Sequence, residues 1–553
     1  MHTNRREVIR AALAAAGGLA VSPARAQISD AACSSTASSV SGPTWRTGIE
    51  GQRVADLGDG TFLNPVLAGD RPDPNVLKDG DDYYVAFSSF KYYPGAPIWH
   101  SRDLVNWTPL TAALKKDIGI VCALDIAKHD GRYFIYIPVL DPRDRQRPLK
   151  TYVIHADSMA GPWSDPIDMR VDNEIDPGHA VGEDGKRYLF LSSGTRARIS
   201  DDGLTGLEAR KKVYDGWPIP DEYVIEGIAL EGPKVLRKDG WFYLFSAQGG
   251  TGGPPTSHMV VVARSRSIHG PWENAPNNPI VRTRSRNEPW WSRGHATPVQ
   301  GPNGDWWLVY HGYENGFRTL GRQMLLEPIE WTADGWPVAR GGDLSRPMPK
   351  PLPSSKGEHG APLSGFTDDL FDGKFAFYAP QPDYLDRVKI TRERLELRAQ
   401  GTGPADSSPL VFVAGDRSYE VTVDVEISGE AEGGLLLFYS EKMFAGIGLA
   451  DGKLNAYKIG RKDSPPASDP AISRRIRLRL QNSENVVTFS YRVPGGRWKK
   501  ERSFEVAGYN HNVVDGFLSL RPGFFAAGSG VVRFRNHVYR AIEPTDGLLK
   551  PMA

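Results

Sequence analysis

The chain has 553 residues, with 67 Lys and Arg against 66 Asp and Glu, a formal net charge of +1. One hydrophobic core rarely organises this length, so two domains are expected, and the neutral balance gives no electrostatic reason for a nucleic acid or an anionic membrane as partner. The 14 Trp, 21 Tyr and 21 Phe suit an uncharged partner with apolar C–H faces, such as a sugar, on which aromatic rings stack.

Residues 1–26 read as a signal peptide. A basic start with Arg5 and Arg6 adjacent is followed by a short Ala/Leu/Gly-rich run and the cleavage-compatible Ala24-Arg25-Ala26 before Gln27. The run is too short to cross a bilayer. The paired arginines resemble a twin-arginine signal, with Val8 and Ile9 departing from its preferred Phe and Leu. A periplasmic or extracellular location is expected, with no membrane attachment after cleavage. Cys33 and Cys122 are the two cysteines, so no disulfide framework exists. Residues 27–59 form an N-terminal extension.

From residue 60 a repeat begins. V-L-K-D-G-D-D-Y-Y-V-A-F-S-S from Val76, A-K-H-D-G-R-Y-F-I-Y-I-P from Ala127, A-V-G-E-D-G-K-R-Y-L-F-L-S-S from Ala180, K-V-L-R-K-D-G-W-F-Y-L-F-S from Lys234 and V-Q-G-P-N-G-D-W-W-L-V-Y-H from Val299 are related strings. Each reads as strand, Asp-Gly or Asn-Gly turn, strand, the strongest short-range hairpin signal. They recur at roughly the length of a four-stranded propeller blade. Second hairpins such as W-H-S-R-D-L-V-N-W and Y-V-I-H-A-D-S-M-A-G-P-W close on Trp. The chain is therefore expected to be all-β, with a five-bladed β-propeller over residues 60–340.

Just upstream of the five hairpins stand Asp73, Asp125, Asp176, Glu231 and His295. A single Asp before Pro usually caps a turn, but five ionisable groups in equivalent places converge on one axis. Crowded carboxylates cannot all ionise at their ordinary values. One can hold a proton while another stays charged, which is what glycoside hydrolysis requires. Glu231, longer by one methylene, is the candidate acid, with a shorter Asp acting from the other side. Phe90, Trp99, Trp217, Trp290 and Trp291 are candidates to wall a sugar ring, Trp290 and Trp291 foremost because they read as a loop.

Residues 341–365 are rich in Pro, Gly and Ser, the composition of a linker or surface strap. From 366 to 545 period-two strands return, among them Y-E-V-T-V-D-V-E-I and V-V-T-F-S-Y-R-V, with no credible helix. That pattern predicts a second domain, a jelly-roll or concanavalin-like β-sandwich.

Together, Pro72-Asp73-Pro74, S-S-F-K-Y-Y-P-G-A-P-I-W-H-S-R-D-L-V-N-W, Asp176-Pro177, Glu231-Gly232-Pro233, G-H-A from Gly294 and L-G-R-Q from Leu320 resemble glycoside hydrolase family 43. Q-G-G-T-G followed by V-A-R-S-R-S-I-H-G-P-W is similar to its β-xylosidase branch. The resemblance implies Asp73 as general base, Glu231 as general acid and Asp176 as the carboxylate that orients the acid and raises its pKa. It implies inversion at the anomeric carbon, Arg322 and Asp125 at the substrate, and His295 as an axial histidine beside a structural calcium or a water-filled site, with no cofactor otherwise required. It also places a loop aromatic of the second domain at the active-site rim, Phe524 or Phe525 being the nearest match, with a core role equally open. Two departures are visible: Cys122-Ala123-Leu124 precede Asp125 where the family writes W-A-P-D, and Gln248 stands where the xylosidase pattern favours Glu. The implied substrate is a xylo-oligosaccharide or arabinose-substituted plant polysaccharide. An α-L-arabinofuranosidase, a non-catalytic carbohydrate-binding propeller and a fructosyl-cleaving enzyme are the alternatives.

Overall fold

The computed structural model describes residues 44–48, 50–357, 365–366, 374–467 and 469–544. The predicted signal peptide and part of the predicted linker lie outside them. The described chain is all-β, its helical content limited to three 3-10 turns of three or four residues.

Five antiparallel units follow one another, each with four strands in path and two of them with a fifth short strand. Their leading hairpins are Asn75–Asp79 with Asp82–Ala86, Asp125–His129 with Arg132–Leu140, Gly178–Val181 with Arg187–Leu191, Leu230–Lys238 with Trp241–Gln248, and Trp290–Gln300 with Trp306–Glu314. These are the five strings read from the sequence. The Asp-Gly and Asn-Gly turns sit where chain reversal needs a left-handed residue: Gly80, Gly131, Gly185, Gly240 and Gly304 all have positive φ. The units form the blades of a five-bladed propeller, numbered 1–5 below, with the first strand of each innermost.

Each blade uses one consecutive stretch of chain, so closure of the ring falls to contacts between blades 5 and 1. The segment before blade 1 runs beside the blade 5 strand Arg322–Trp331. Val66 N–H donates to Met324 O at 2.9 Å and Arg71 N–H to Arg322 O at 2.7 Å, while the Asn64 side chain donates to Leu326 O at 3.0 Å and accepts its N–H at 2.9 Å. The innermost strands are stitched as well: Thr297 Oγ1 donates to Pro74 O at 3.1 Å and Asn75 Nδ2 to Asp125 Oδ1 at 2.7 Å.

The stretch read as a linker is partly a strap. Met348–Pro349 pairs with Thr61–Phe62, and Lys350 Nζ meets Asp56 Oδ2 at 2.9 Å with both side chains buried. Beyond it a 13-stranded sheet is organised by two long strands, Ser418–Ser440 and Arg521–Ala541, paired antiparallel along almost their whole length. Their alternating apolar residues pack into one core, as a β-sandwich requires. This sheet does not stop at the domain edge. Tyr92–Tyr93, inside blade 1, pairs with Phe375–Tyr378, and one hydrophobic cluster runs from Phe90, Tyr93 and Ile98 to Phe377, Phe438 and Phe524. The two β domains are joined by sheet and core, and the joint lies directly behind blade 1.

Candidate active site

Arg322 is the residue on which the site is built. It begins its strand after Gly321, whose φ of +77° and lack of a side chain both matter, because a Cβ there would lie 2.3 Å from Asp70 Oδ1. Asp70 accepts the Arg322 N–H at 3.1 Å and the Arg521 Nη2 of the sandwich at 3.0 Å. The Arg322 guanidinium then reaches Asp73, Nη1 to Oδ1 at 2.7 Å. Three charged residues of G-D-R-P-D-P thus take different tasks. Asp70 and Arg71 are buried, Asp70 as the link to the sandwich and Arg71 stacked over Trp99 with its Cζ 4.8 Å from the ring centroid.

Asp73 is 6% exposed and receives further donors, the Ser88 hydroxyl at Oδ2 among them. His295 Nδ1 lies 3.6 Å and His311 Nδ1 3.3 Å from Oδ1. Burial alone would raise the Asp73 pKa, but the Arg322 charge holds it well below the usual carboxylate range. Asp73 is therefore ionised. His311 Nδ1 accepts the Asp73 N–H at 3.0 Å and Nε2 lies 3.0 Å from Thr251 Oγ1. A ring that accepts at Nδ1 carries its proton on Nε2, and burial keeps that ring neutral.

Asp176 and Glu231 form a second centre, on blades 3 and 4. Asp176 is 3% exposed and accepts the Gly232 N–H at 3.0 Å. Burial, then the nearby Glu231 and Asp73 charges, push its pKa well above the ordinary value. Glu231 lies in turn below its ordinary value: burial raises it, but His258, whose Nε2 is 3.5 Å from Oε1, outweighs that. The two carboxyls are coupled, and burial with like charge favours the proton on Asp176. Glu231 is the member in reach of a ligand, with 22% of its side chain exposed.

Asp73, Asp176 and His295 share a left-handed backbone, with φ of +56°, +57° and +59°. Each such residue costs on the order of 1 kcal/mol and persists where surrounding structure over-determines it. The recurrence on blades 1, 3 and 5 shows that these three innermost strands use the same turn to aim a side chain inward, a turn that Asp125 and Glu231 do not share.

The remaining expected residues divide. Phe90 borders the site with its ring 5.6 Å from Arg322 Cζ. Asp125 sits on the axis with its carboxylate taken by Lys234, Asn75 and the His179 N–H. Trp290 is packed in the propeller core because the stretch read as a loop is the start of an innermost strand; Trp291 is half-buried with Arg318 Cζ 5.4 Å from its ring. Trp99 is core. Phe524 and Phe525 are fully buried in the sandwich, and the aromatic that the second domain brings to Arg322 is Phe517, 5.5 Å from Cζ and stacked on His511. Gln248 does what a carboxylate could not: its amide accepts the Trp217 N–H at 2.9 Å and donates to Trp217 O at 3.2 Å. Cys122 borders the site as a protonated thiol, its pKa raised to about 12 by burial and by Asp176 and Asp73.

Ser88, His258, His311 and Thr251 were not singled out from the sequence. His258 and His311 stack, centroids 5.3 Å apart, and His311 and His295 lie 5.9 Å apart. The available signal was position: His258 immediately precedes the strand Met259–Ser265, and His311 lies in the second half of the strand Trp306–Glu314.

The family model described as Glycosyl hydrolases family 43 matches residues 62–337. A non-reducing-end α-L-arabinofuranosidase of Bacteroides ovatus is 34% identical over 302 residues, 51% of this chain and 54% of that protein. A putative β-xylosidase of Xylanibacter ruminicola is 31% identical over 494 residues, covering 80% of this chain and 86% of the relative. Several curated relatives are matched over only about half of their length. Among solved structures, a family 43 protein of Bacillus licheniformis superposes with a TM-score of 0.75 at 25% identity, over 87% of this chain and 100% of that one.

Proposed function

Because the chain belongs to glycosyl hydrolases family 43, and is a glycosidase, we propose that it is an exported, inverting, exo-acting β-xylosidase. The observation that carries the mechanism is the contrast between two carboxyl centres beside one buried arginine. Asp73 is ionised beside the Arg322 cation, while burial and like charge favour a bound proton at the Asp176–Glu231 pair. An ionised carboxylate can take a proton from water, and a protonated centre can give one to a departing oxygen.

In this mechanism Asp73, fixed by Arg322 and Ser88, accepts the proton of a water that attacks the anomeric carbon. As the C–O bond to the leaving sugar breaks, the pair's single proton moves from Asp176 to Glu231, whose carboxyl faces the cleft, and from Glu231 to the leaving oxygen. The new hydroxyl lies on the face opposite to the departed group. Free Arg322 donors bind sugar hydroxyls in a fork geometry, and Phe90 and Phe517 offer ring faces on either side. Export rests on the basic, Ala-rich start of the chain.

A second reading, α-L-arabinofuranosidase, is supported by the name of the Bacteroides relative. The mature protein is incubated with nitrophenyl β-D-xyloside and nitrophenyl α-L-arabinofuranoside beside E231Q. Faster release from the xyloside is expected, the reverse preference selects the arabinofuranosidase, and no release above E231Q from either sinks the pentosidase reading. Proton NMR of the first-formed anomer tests inversion.

A further inference from the structure

The axis of the propeller holds a second charged assembly. Lys234 Nζ donates to Asp125 Oδ1 at 2.8 Å and to Pro177 O at 3.2 Å. Asp125 Oδ1 also accepts Asn75 Nδ2 at 2.7 Å, and Oδ2 accepts the His179 N–H at 2.8 Å. One ion pair thereby joins blade 1 through Asn75, blade 2 through Asp125, blade 3 through Pro177 and His179, and blade 4 through Lys234. Less than a tenth of either side chain is exposed.

These residues do not fit the axial calcium that the sequence resemblance admits. Calcium takes six to eight oxygen ligands. The axial carboxylate is Asp125, and three N–H donors already occupy it. His295 faces Asp73 on one side, and on the other a Cβ at Gly232 would come within 3.0 Å of its ring. Among the described residues no three His, Cys, Asp or Glu side chains assemble in a way that could hold a metal ion. A lysine ammonium stands on the axis instead.

We infer that Lys234 is the built-in cation of the propeller axis, a positioning residue that ties four blades together and sets the electrostatic potential at the Asp176–Glu231 pair without a bound metal. The connection to the pair is short. The carbonyl that Lys234 grips belongs to Pro177, the residue after Asp176, and Lys234 lies on the strand of Glu231, three residues on, across a shift in strand register. Two uncompensated carboxyls in a buried site would hold their proton too tightly to exchange it. A fixed positive charge beside them offsets part of that repulsion. The other groups facing the pair are Asp73, His258, His295, Arg322 and the Cys122 thiol. Lys234 itself faces Asp125.

The inference rests on the glycosidase reading for its catalytic consequence, and its test has an arm that does not. K234M, K234R and D125N are compared with the parent in two ways: kcat/KM on the nitrophenyl xyloside against pH, and the thermal midpoint against pH without substrate. Loss of the cation in K234M is expected to move the alkaline limb of both profiles up by about one pH unit, a tenfold change in proton affinity. D125N leaves the cation uncompensated, and its limbs are expected to move down. K234R keeps the charge and is expected to stay within about 0.3 units of the parent, which separates charge from packing. A chelator or added calcium is expected to leave the parent's midpoint and rate unchanged.

Limbs that stay fixed in K234M and D125N while the midpoint falls would reduce Lys234 to a structural tie and overturn the inference. Shifts in the same direction for both variants, or a chelator that lowers the parent's midpoint, would also overturn it. If the parent hydrolyses neither pentoside, the pentosidase reading falls alone, and the midpoint profiles still decide the role of Lys234.

Discussion

The two carboxyl centres occupy equivalent places in the repeat and share a left-handed turn, yet they hold protons in opposite ways. On the side of blades 1 and 5, Asp73 faces Arg322, His295 and His311, and its negative charge is stabilised in spite of burial. On the side of blades 3 and 4, Asp176 faces Glu231, and burial with like charge keeps the proton bound. The backbone aims every carboxylate at the axis; which one becomes base and which holds a proton is decided by what the next blade delivers opposite. A fivefold repeat can in this way carry an asymmetric reaction.

The sharpest way to break the contrast is D73N. It removes the ionised member while leaving a side chain of the same shape against Arg322, so kcat/KM is expected to fall about 10⁴-fold, the upper range for a general base, and the midpoint to fall as well because buried Arg322 loses its charged partner. A loss under tenfold would show that water is activated elsewhere.

The two centres also differ in their dependence on the sandwich. Asp73 is fixed by Arg322, Arg322 by Asp70, and Asp70 by Arg521 of the second domain. Thr319, three residues before Arg322, hydrogen-bonds Asn485 of the sandwich at 2.7 Å. Among the described residues no comparable chain of bonds leads from the sandwich to Asp176. D70N leaves buried Arg521 without its charged partner and is expected to cost about 3–5 kcal/mol of stability and about tenfold to 100-fold in kcat/KM through a displaced Arg322. The alkaline limb of the pH profile, which belongs to the other centre, is expected to stay in place. Movement of that limb in D70N would mean that the centres are not separable.

The pH dependence of stability separates them further. Asp73 titrates below its unfolded value near 4, so the stability it contributes is full above that value and is lost as pH falls through its folded pKa. Asp176 titrates above its unfolded value, so its contribution is full below that value and is lost as pH rises through its folded pKa. D176N, neutral at every pH, is expected to remove part of the alkaline decline and to raise the midpoint at pH 8 by roughly 2–4 °C, measured by calorimetry against the parent. A D176N curve parallel to the parent's would mean that Asp176 is already ionised in the fold.

Much of this was legible in the sequence because it is local. Hairpins announce themselves through Asp-Gly and Asn-Gly turns between alternating residues, and the equivalence of Asp73, Asp176 and Glu231 follows from counting back from those turns. What was not legible depends on contacts made far along the chain. Nothing local to Asp70 and Arg71 announces that the sandwich, some 450 residues on, covers them and places Arg521 on Asp70. Phe524 and Phe525 follow Pro-Gly and read as a rim loop, but they lie in a strand paired with Ser418–Ser440 along its length. Phe517, in the less regular stretch before it, is free of that pairing and can reach Arg322. Lys234 after Glu231-Gly232-Pro233 reads as an ordinary strand residue; only closure of the ring brings Asp125, 109 residues earlier, against it.

The smallest effect is expected at Gln248, where the xylosidase pattern that the sequence resembles favours Glu. Gln248 is 2% exposed and uses both ends of its amide on the backbone of Trp217. A carboxylate in its place could accept the Trp217 N–H but would face Trp217 O with a second acceptor, an unfavourable contact in a buried site. In Q248E the new carboxyl is expected to stay protonated at low pH, where its O–H replaces the amide donor, and to ionise as pH rises, loosening the Trp217 loop. KM for the xyloside should match the parent at pH 5 and rise about threefold by pH 8, with kcat unchanged. A pH-independent rise would show that amide shape, not its donor, holds Trp217. A fall in KM would instead mean that the loop is better placed when released, and that Gln248 restrains the cleft.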